Sequence, residues 1–158
     1  MNEYKRKFLV VIDESKEADR AITFAAHRVK RTGGTVVLLS VIDSQDFTQF
    51  LGVEEVMRAE AREAAERLLD TRRARISQIG SGIRTETVVR EGDLVTEIEN
   101  LIWQDPAIAI LVLAASAGKE GPGPLVSAFA SRAGQMSLPV IVTIIPGAMT
   151  DEQIVAVT

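Results

Sequence analysis

Three stretches of this chain place chemistry-bearing residues directly after apolar runs. Asp13-Glu14-Ser15 follows Phe8 to Ile12, Val41-Ile42-Asp43 closes a second run, and Ala114 to Ser127 follows a third. The last is the most unusual: Ala114-Ala115-Ser116-Ala117-Gly118-Lys119-Glu120-Gly121-Pro122-Gly123-Pro124. Side chains this small let backbone amides approach a ligand, and a helix start follows at once. Amides and the positive end of a helix dipole together suit an anion, and Lys119 can add a cation. Asp13 and Asp43 each end an apolar run, but nothing else local points to a metal-holding carboxylate pair, and no metal site is assigned to them.

Other chemistries lack residues. A P-loop would need glycine where Leu113 stands and a hydroxyl where Glu120 stands. A dinucleotide fingerprint would need glycines after the first apolar run, and Asp13-Glu14-Ser15 has none. With one histidine and no cysteine, nucleophile–base pairs are almost unavailable, and disulfides and thiolate metal sites are excluded. His27 lies inside a helical pattern without a second ligand at metal spacing, and reads as a surface or boundary residue. A net charge of −4 argues against a nucleic-acid surface. The dense basic stretch Arg72, Arg73, Arg75 falls late in a helical pattern, where cations complement the dipole. The charged start Met1 to Lys7 and the short run after it lack the features of a signal peptide. The longest apolar run, Ala107 to Ala115, is far below the ~20 residues that span a bilayer. The expectation is a cytoplasmic protein with neither membrane nor nucleic-acid partner.

Five β-branched apolar runs must position these segments: Lys7 to Asp13, Thr35 to Asp43, Arg84 to Arg90, Ile108 to Ala114 and Val140 to Ile145. Four are nearly continuous, as in strands buried on both faces of a parallel sheet; the third, with Thr85, Glu86 and Thr87, belongs nearer an edge. Helical patterns fill the gaps. Ala18 to Val29 follows a Ser15 N-cap and stops at Gly33-Gly34; Glu54 to Ile79 is charged on one side; Leu94 to Gln104 and Pro124 to Ser137 complete the set. Trp103 reads as a packing residue. The alternation β-α-β-α-β-α-β-α-β implies an α/β fold with a parallel sheet and right-handed crossovers. Its 158 residues suit a single domain over 1–146, with a tail at 147–158 either docked or loose. In such a sheet, ligands sit beyond the carboxyl ends of the strands, where the three stretches converge.

In order and spacing, these segments resemble the universal stress protein family. The resemblance rests on Phe8-Leu9-Val10-Val11-Ile12-Asp13 with Ser15 and an Ala-rich helix, on Val36 to Ile42, and on the Glu91-Gly92-Asp93 turn. It continues through Leu111 to Gly118, Ser127, and Leu138-Pro139-Val140-Ile141-Val142. It implies a Rossmann-like five-stranded parallel sheet of order 3-2-1-4-5 with helices on both faces, and a homodimer paired through the last strand. It also implies ATP or another adenine nucleotide, with Mg, between the first and fourth strands. Asp13 would then lie near the ribose or a phosphate-bound metal, and the Val41 backbone would read adenine. In the family signature Gly-x2-Gly-x9-Gly-Ser/Thr, Gly118 would be the second glycine and Ser127 the closing hydroxyl. Ala115 replaces the first glycine and Val126 stands at the third, across a shortened loop. Two functions are expected on this basis: a stress-response nucleotide sensor or regulator with at most weak ATP hydrolysis, or a dimeric interaction module that has lost its nucleotide.

Overall fold

The computed structural model describes residues 6–13, 15–47, 52–118, 120–132 and 138–158. Strands β1 (Lys7–Val11), β2 (Thr35–Ile42), β3 (Arg84–Glu91), β4 (Ile108–Ala114) and β5 (Ile141–Ile145) alternate with helices α1 (Lys16–Thr32), α2 (Glu54–Ile79), α3 (Leu94–Gln104) and α4 (Pro124–Arg132). A 3-10 turn, Ser44–Phe47, and a last helix, α5 (Asp151–Ala156), are additions that the apolar pattern does not announce. Every strand pairing is parallel, in the order β3-β2-β1-β4-β5. The expected sheet is the observed one, and β1 lies beside β4 with Phe8 opposite Ile110 and Val10 opposite Val112.

Strand alternation divides the core between two faces. Phe8, Val10, Val36, Leu38 and Val112 pack under α1 and α2, together with Ala21, Ile22, Leu69 and Ile76. Leu9, Val11, Val37, Leu39, Leu111 and Leu113 pack on the other face, against Ile98, Ile102, Val126 and Phe129. Leu9, Leu38 and Leu111 have no exposed surface, so each contributes about 2 kcal/mol through burial. Local signals set the helix ends. The Ser15 hydroxyl accepts the Ala18 amide at 3.3 Å, and Gly33 takes φ +84°, a conformation that closes α1 and favours glycine.

Three expectations change, and the open choice between a docked and a loose tail is decided. β5 is an edge strand, with Ile141 68% and Ile144 40% exposed, so its apolar run is not buried on both faces. Trp103 is 58% exposed rather than packed, because the inward positions of α3 go to Ile98, Leu101 and Ile102. The basic stretch of α2 lies ahead of its last turn and ties elements together. Arg72 Nε pairs with Asp19 at 3.0 Å, Arg73 donates to the Thr85 carbonyl at 3.0 Å, and Arg75 donates to Thr23 Oγ1 at 3.0 Å. The tail is docked: Ile154 is fully buried beside Ala21 and Ile22, and Arg28 holds the Thr158 carbonyl at 3.2 Å. Among the described residues, no helix is long and apolar enough to cross a membrane.

Candidate functional site

The carboxyl ends of β1, β2 and β4 bring the three chemistry-bearing stretches to one edge of the sheet. At the end of β1, the Ile12 amide still bonds the Leu39 carbonyl at 2.7 Å, and the chain then turns. Asp13 makes that turn: its Oδ1 accepts the Ser15 amide at 2.8 Å, and its side chain is exposed. Asp43 does the same after β2, accepting the Gln45 amide at 2.9 Å. Each carboxylate therefore serves its own Asx-type turn. Among the described residues, no group of three or more potential ligands is placed to hold a metal ion.

Val41 lies two residues past the last β1–β2 pair, Val11 with Leu39. The Leu39 carbonyl faces β1 and the Ile42 carbonyl faces β3, where it accepts the Gly92 amide at 2.9 Å. Backbone groups alternate in direction along a strand, so those of Val41 point to the β1 side, beyond the end of β1. Arg58 braces this flank. Its Nε meets Glu91 Oε1 at 2.7 Å, its Nη2 meets Glu54 at 3.2 Å, and its guanidinium lies 5.5 Å from the Phe47 ring centre. The hydrogen bond to Glu91 raises the Arg58 pKa above the usual arginine value.

The β4–α4 loop folds on itself. The Ala115 amide bonds the Ile145 carbonyl at 2.8 Å, extending the β4–β5 ladder, and the Ser116 amide bonds the Pro122 carbonyl at 2.9 Å. Gly121 and Gly123 have φ +97° and +99°, and Gly123 lies against the Ser116 hydroxyl. Those are the positions where this loop needs glycine. Gly118 differs: a methyl there would meet nothing, so its backbone lies open. Pro124 begins α4, where its missing N–H costs nothing. Ser127, one turn in, donates its amide to the Gly123 carbonyl at 3.0 Å and keeps its side chain exposed.

Between this loop and the start of α1 lies a cavity of about 710 Å³, within the size range of small-molecule sites. Gly118 and Ser127 both line it, together with Ser116, Gly121 and Gly123. Asp13, Val41 and Ala115 are not in its lining. Lys119 lies outside the described residues. Glu17 and Glu120 also line the cavity, so its described charged side chains are both carboxylates. Sequence reading missed Glu17 as a wall residue because its place in the first turn of α1 already had a reason in the helix dipole. Ser116 was visible only as part of a small-residue run.

The universal stress protein family model matches residues 5–142. The chain belongs to that family. Solved structures agree in fold. The universal stress protein UspA from Lactobacillus plantarum is 24% identical with a TM-score of 0.72, covering 91% of this chain and 99% of its own. A universal stress protein family member from Burkholderia pseudomallei is 19% identical with a TM-score of 0.67, covering 92% and 99%. A universal stress protein solved in complex with cAMP is 15% identical with a TM-score of 0.62, covering 91% and 98%. No curated protein matches the chain. The family model stops inside β5, so residues 143–158 lie beyond it.

Proposed function

We propose that this universal stress protein binds an adenine nucleotide at the carboxyl edge of its sheet and acts as a sensor or regulator with little turnover. The observation that carries the reading is the 710 Å³ cavity between the start of α1 and the loop after β4, made possible by the adjacency of β1 and β4. Its dimensions suit a nucleotide. Ser116 and Ser127 offer hydroxyls, Gly118 offers an unobstructed backbone, and the Val41 backbone groups point beyond the end of β1, where a flat base could be read. A relative of the same fold was solved with cAMP. With Glu17 and Glu120 facing the phosphates, a magnesium ion accompanying the nucleotide would offset the negative charge there.

Two observations favour a second reading, a dimeric interaction module without nucleotide. The Ala115 and Ser116 amides are already engaged, and the lining carries two carboxylates. In either reading we take the protein to be a homodimer paired along β5, whose exposed isoleucines support that assignment.

Calorimetric titration with ATP, ADP and AMP, with and without magnesium, separates the two. Binding is expected, with Ser127→Ala, which takes a hydroxyl from the cavity lining, weakening it about tenfold, or roughly 1.4 kcal/mol. An unchanged affinity in Ser127→Ala would place the site elsewhere. Neither heat nor a thermal shift at millimolar nucleotide would leave the interaction module standing.

A further inference from the structure

The chain after β5 touches the loop of the candidate site at Gly147. Gly147 is buried, and its backbone presses on the loop after β4: a methyl built on it would collide with the Ala115 carbonyl and lie 2.6 Å from the Ala117 nitrogen and 2.7 Å from the Ser116 carbonyl carbon. Gly147 is not among the glycines with positive φ, so glycine is needed there for space and not for conformation.

Beyond Gly147, the chain is fastened along α1. The Met149 carbonyl accepts from Arg20 Nε at 2.9 Å, and Asp151 lies 3.4 Å from Thr23 Oγ1 and 3.8 Å from Arg75. Thr150 and Gln153 form a reciprocal cap on α5. Ile154 is fully buried in the core under α1, and Arg28 holds the Thr158 carbonyl at 3.2 Å. A helix of six residues does not persist in water unaided, so α5 exists because it is docked. One end of this segment is therefore anchored on α1, while the other is wedged against the small-residue loop.

We propose that residues 146–158 act as a strut that positions the loop after β4, with Gly147 as the positioning residue that carries the docking of α5 onto Ala115, Ser116 and Ala117. For its effect on ligand, this rests on the nucleotide reading of the loop. Its structural content does not. A strut predicts that disturbing either end loosens the same loop amides, although Ile154 is far along the chain from them.

Amide hydrogen exchange on the full, ligand-free chain tests it, comparing wild type with Gly147→Ala, Ile154→Ala and Ile154→Val. The Ala115 and Ser116 amides, bonded to Ile145 and Pro122, start protected. In Gly147→Ala and Ile154→Ala they should exchange about tenfold faster while Leu9 and Leu38 amides stay protected, as expected of a local opening. Ile154→Val, which keeps most of the side chain, should retain the wild-type rates. Unchanged exchange at Ala115 and Ser116 in Gly147→Ala overturns the strut. So does an Ile154→Ala variant whose tail exchanges freely while the loop remains protected, and this second variant decides the matter if Gly147→Ala does not fold. ATP affinity should fall several-fold in the same two variants. A wild type that takes no ATP defeats the nucleotide reading, and the exchange rates still decide the strut.

Discussion

Along β3, Arg84, Glu86, Arg90 and Glu91 carry charge, and three of the four are tied to neighbours. Glu86 meets Lys7 at 3.0 Å, Glu91 meets Arg58 at 2.7 Å, and Arg90 donates to Gln104 at 2.8 Å. Along β5, at the other edge, Ile141-Val142-Thr143-Ile144-Ile145 carries no charge and leaves two isoleucines exposed. An edge strand offers unpaired backbone groups to any other strand, and proteins usually blunt such edges with charge. β3 is blunted in that way and β5 is not. The contrast favours β5 as the edge where a second copy would add, in keeping with the proposed dimer.

The largest expected effect tests that contrast directly. Ile144→Lys places a charge on the open edge and should convert the proposed dimer to a monomer in light scattering, with helical circular dichroism unchanged. A wild type already running at the mass of one chain would remove the functional meaning of the contrast. Next is Lys7, whose ammonium lies 2.8 Å from Asp105 and 3.0 Å from Glu86 and ties the β3 edge to the middle of the sheet. Lys7→Met, which keeps the apolar stem, should cost about 1 kcal/mol in urea denaturation at neutral pH. The hydrogen bond to Asp105, reinforced by Glu86, raises the Lys7 pKa above 10.5 despite the opposing effect of burial. That contribution is thus fully present below about pH 10.5, the unfolded value, and is lost as pH climbs through the higher folded one. The variant should lose this alkaline decline, and an identical decline in both proteins would show that Lys7 does not tie the edge. The smallest effect belongs to Arg73→Ala, which removes one exposed bond to the Thr85 carbonyl and should change stability by no more than ~0.5 kcal/mol.

Much of this architecture is legible in local pattern. The bounds of α2 and α3 follow from apolar periodicity, the start of α1 from Ser15, and its end from Gly33. Threonines and charges already mark β3 as an edge, which is where it lies. The site was legible as three segments but not as a surface. Gly118 and Ser127 meet in one cavity, while Asp13 and Val41 lie outside its lining. The occupied amides of Ala115 and Ser116 were invisible in sequence, because their acceptors, Ile145 and Pro122, are chosen by folding. Trp103 misled because aromatic character indicates packing only on average, and its position on α3 faces outward.

By itself, then, the sequence determined the elements, their alternation and the turn chemistry that ends them, since those depend on residues a few positions apart. Tertiary structure alone decided that the uncharged run of β5 is left exposed, that α5 docks on α1, and that Gly147 must lack a side chain. Each of these depends on contacts between residues distant in the chain, and the strand order that creates those contacts is a property of the whole packed core rather than of any one segment.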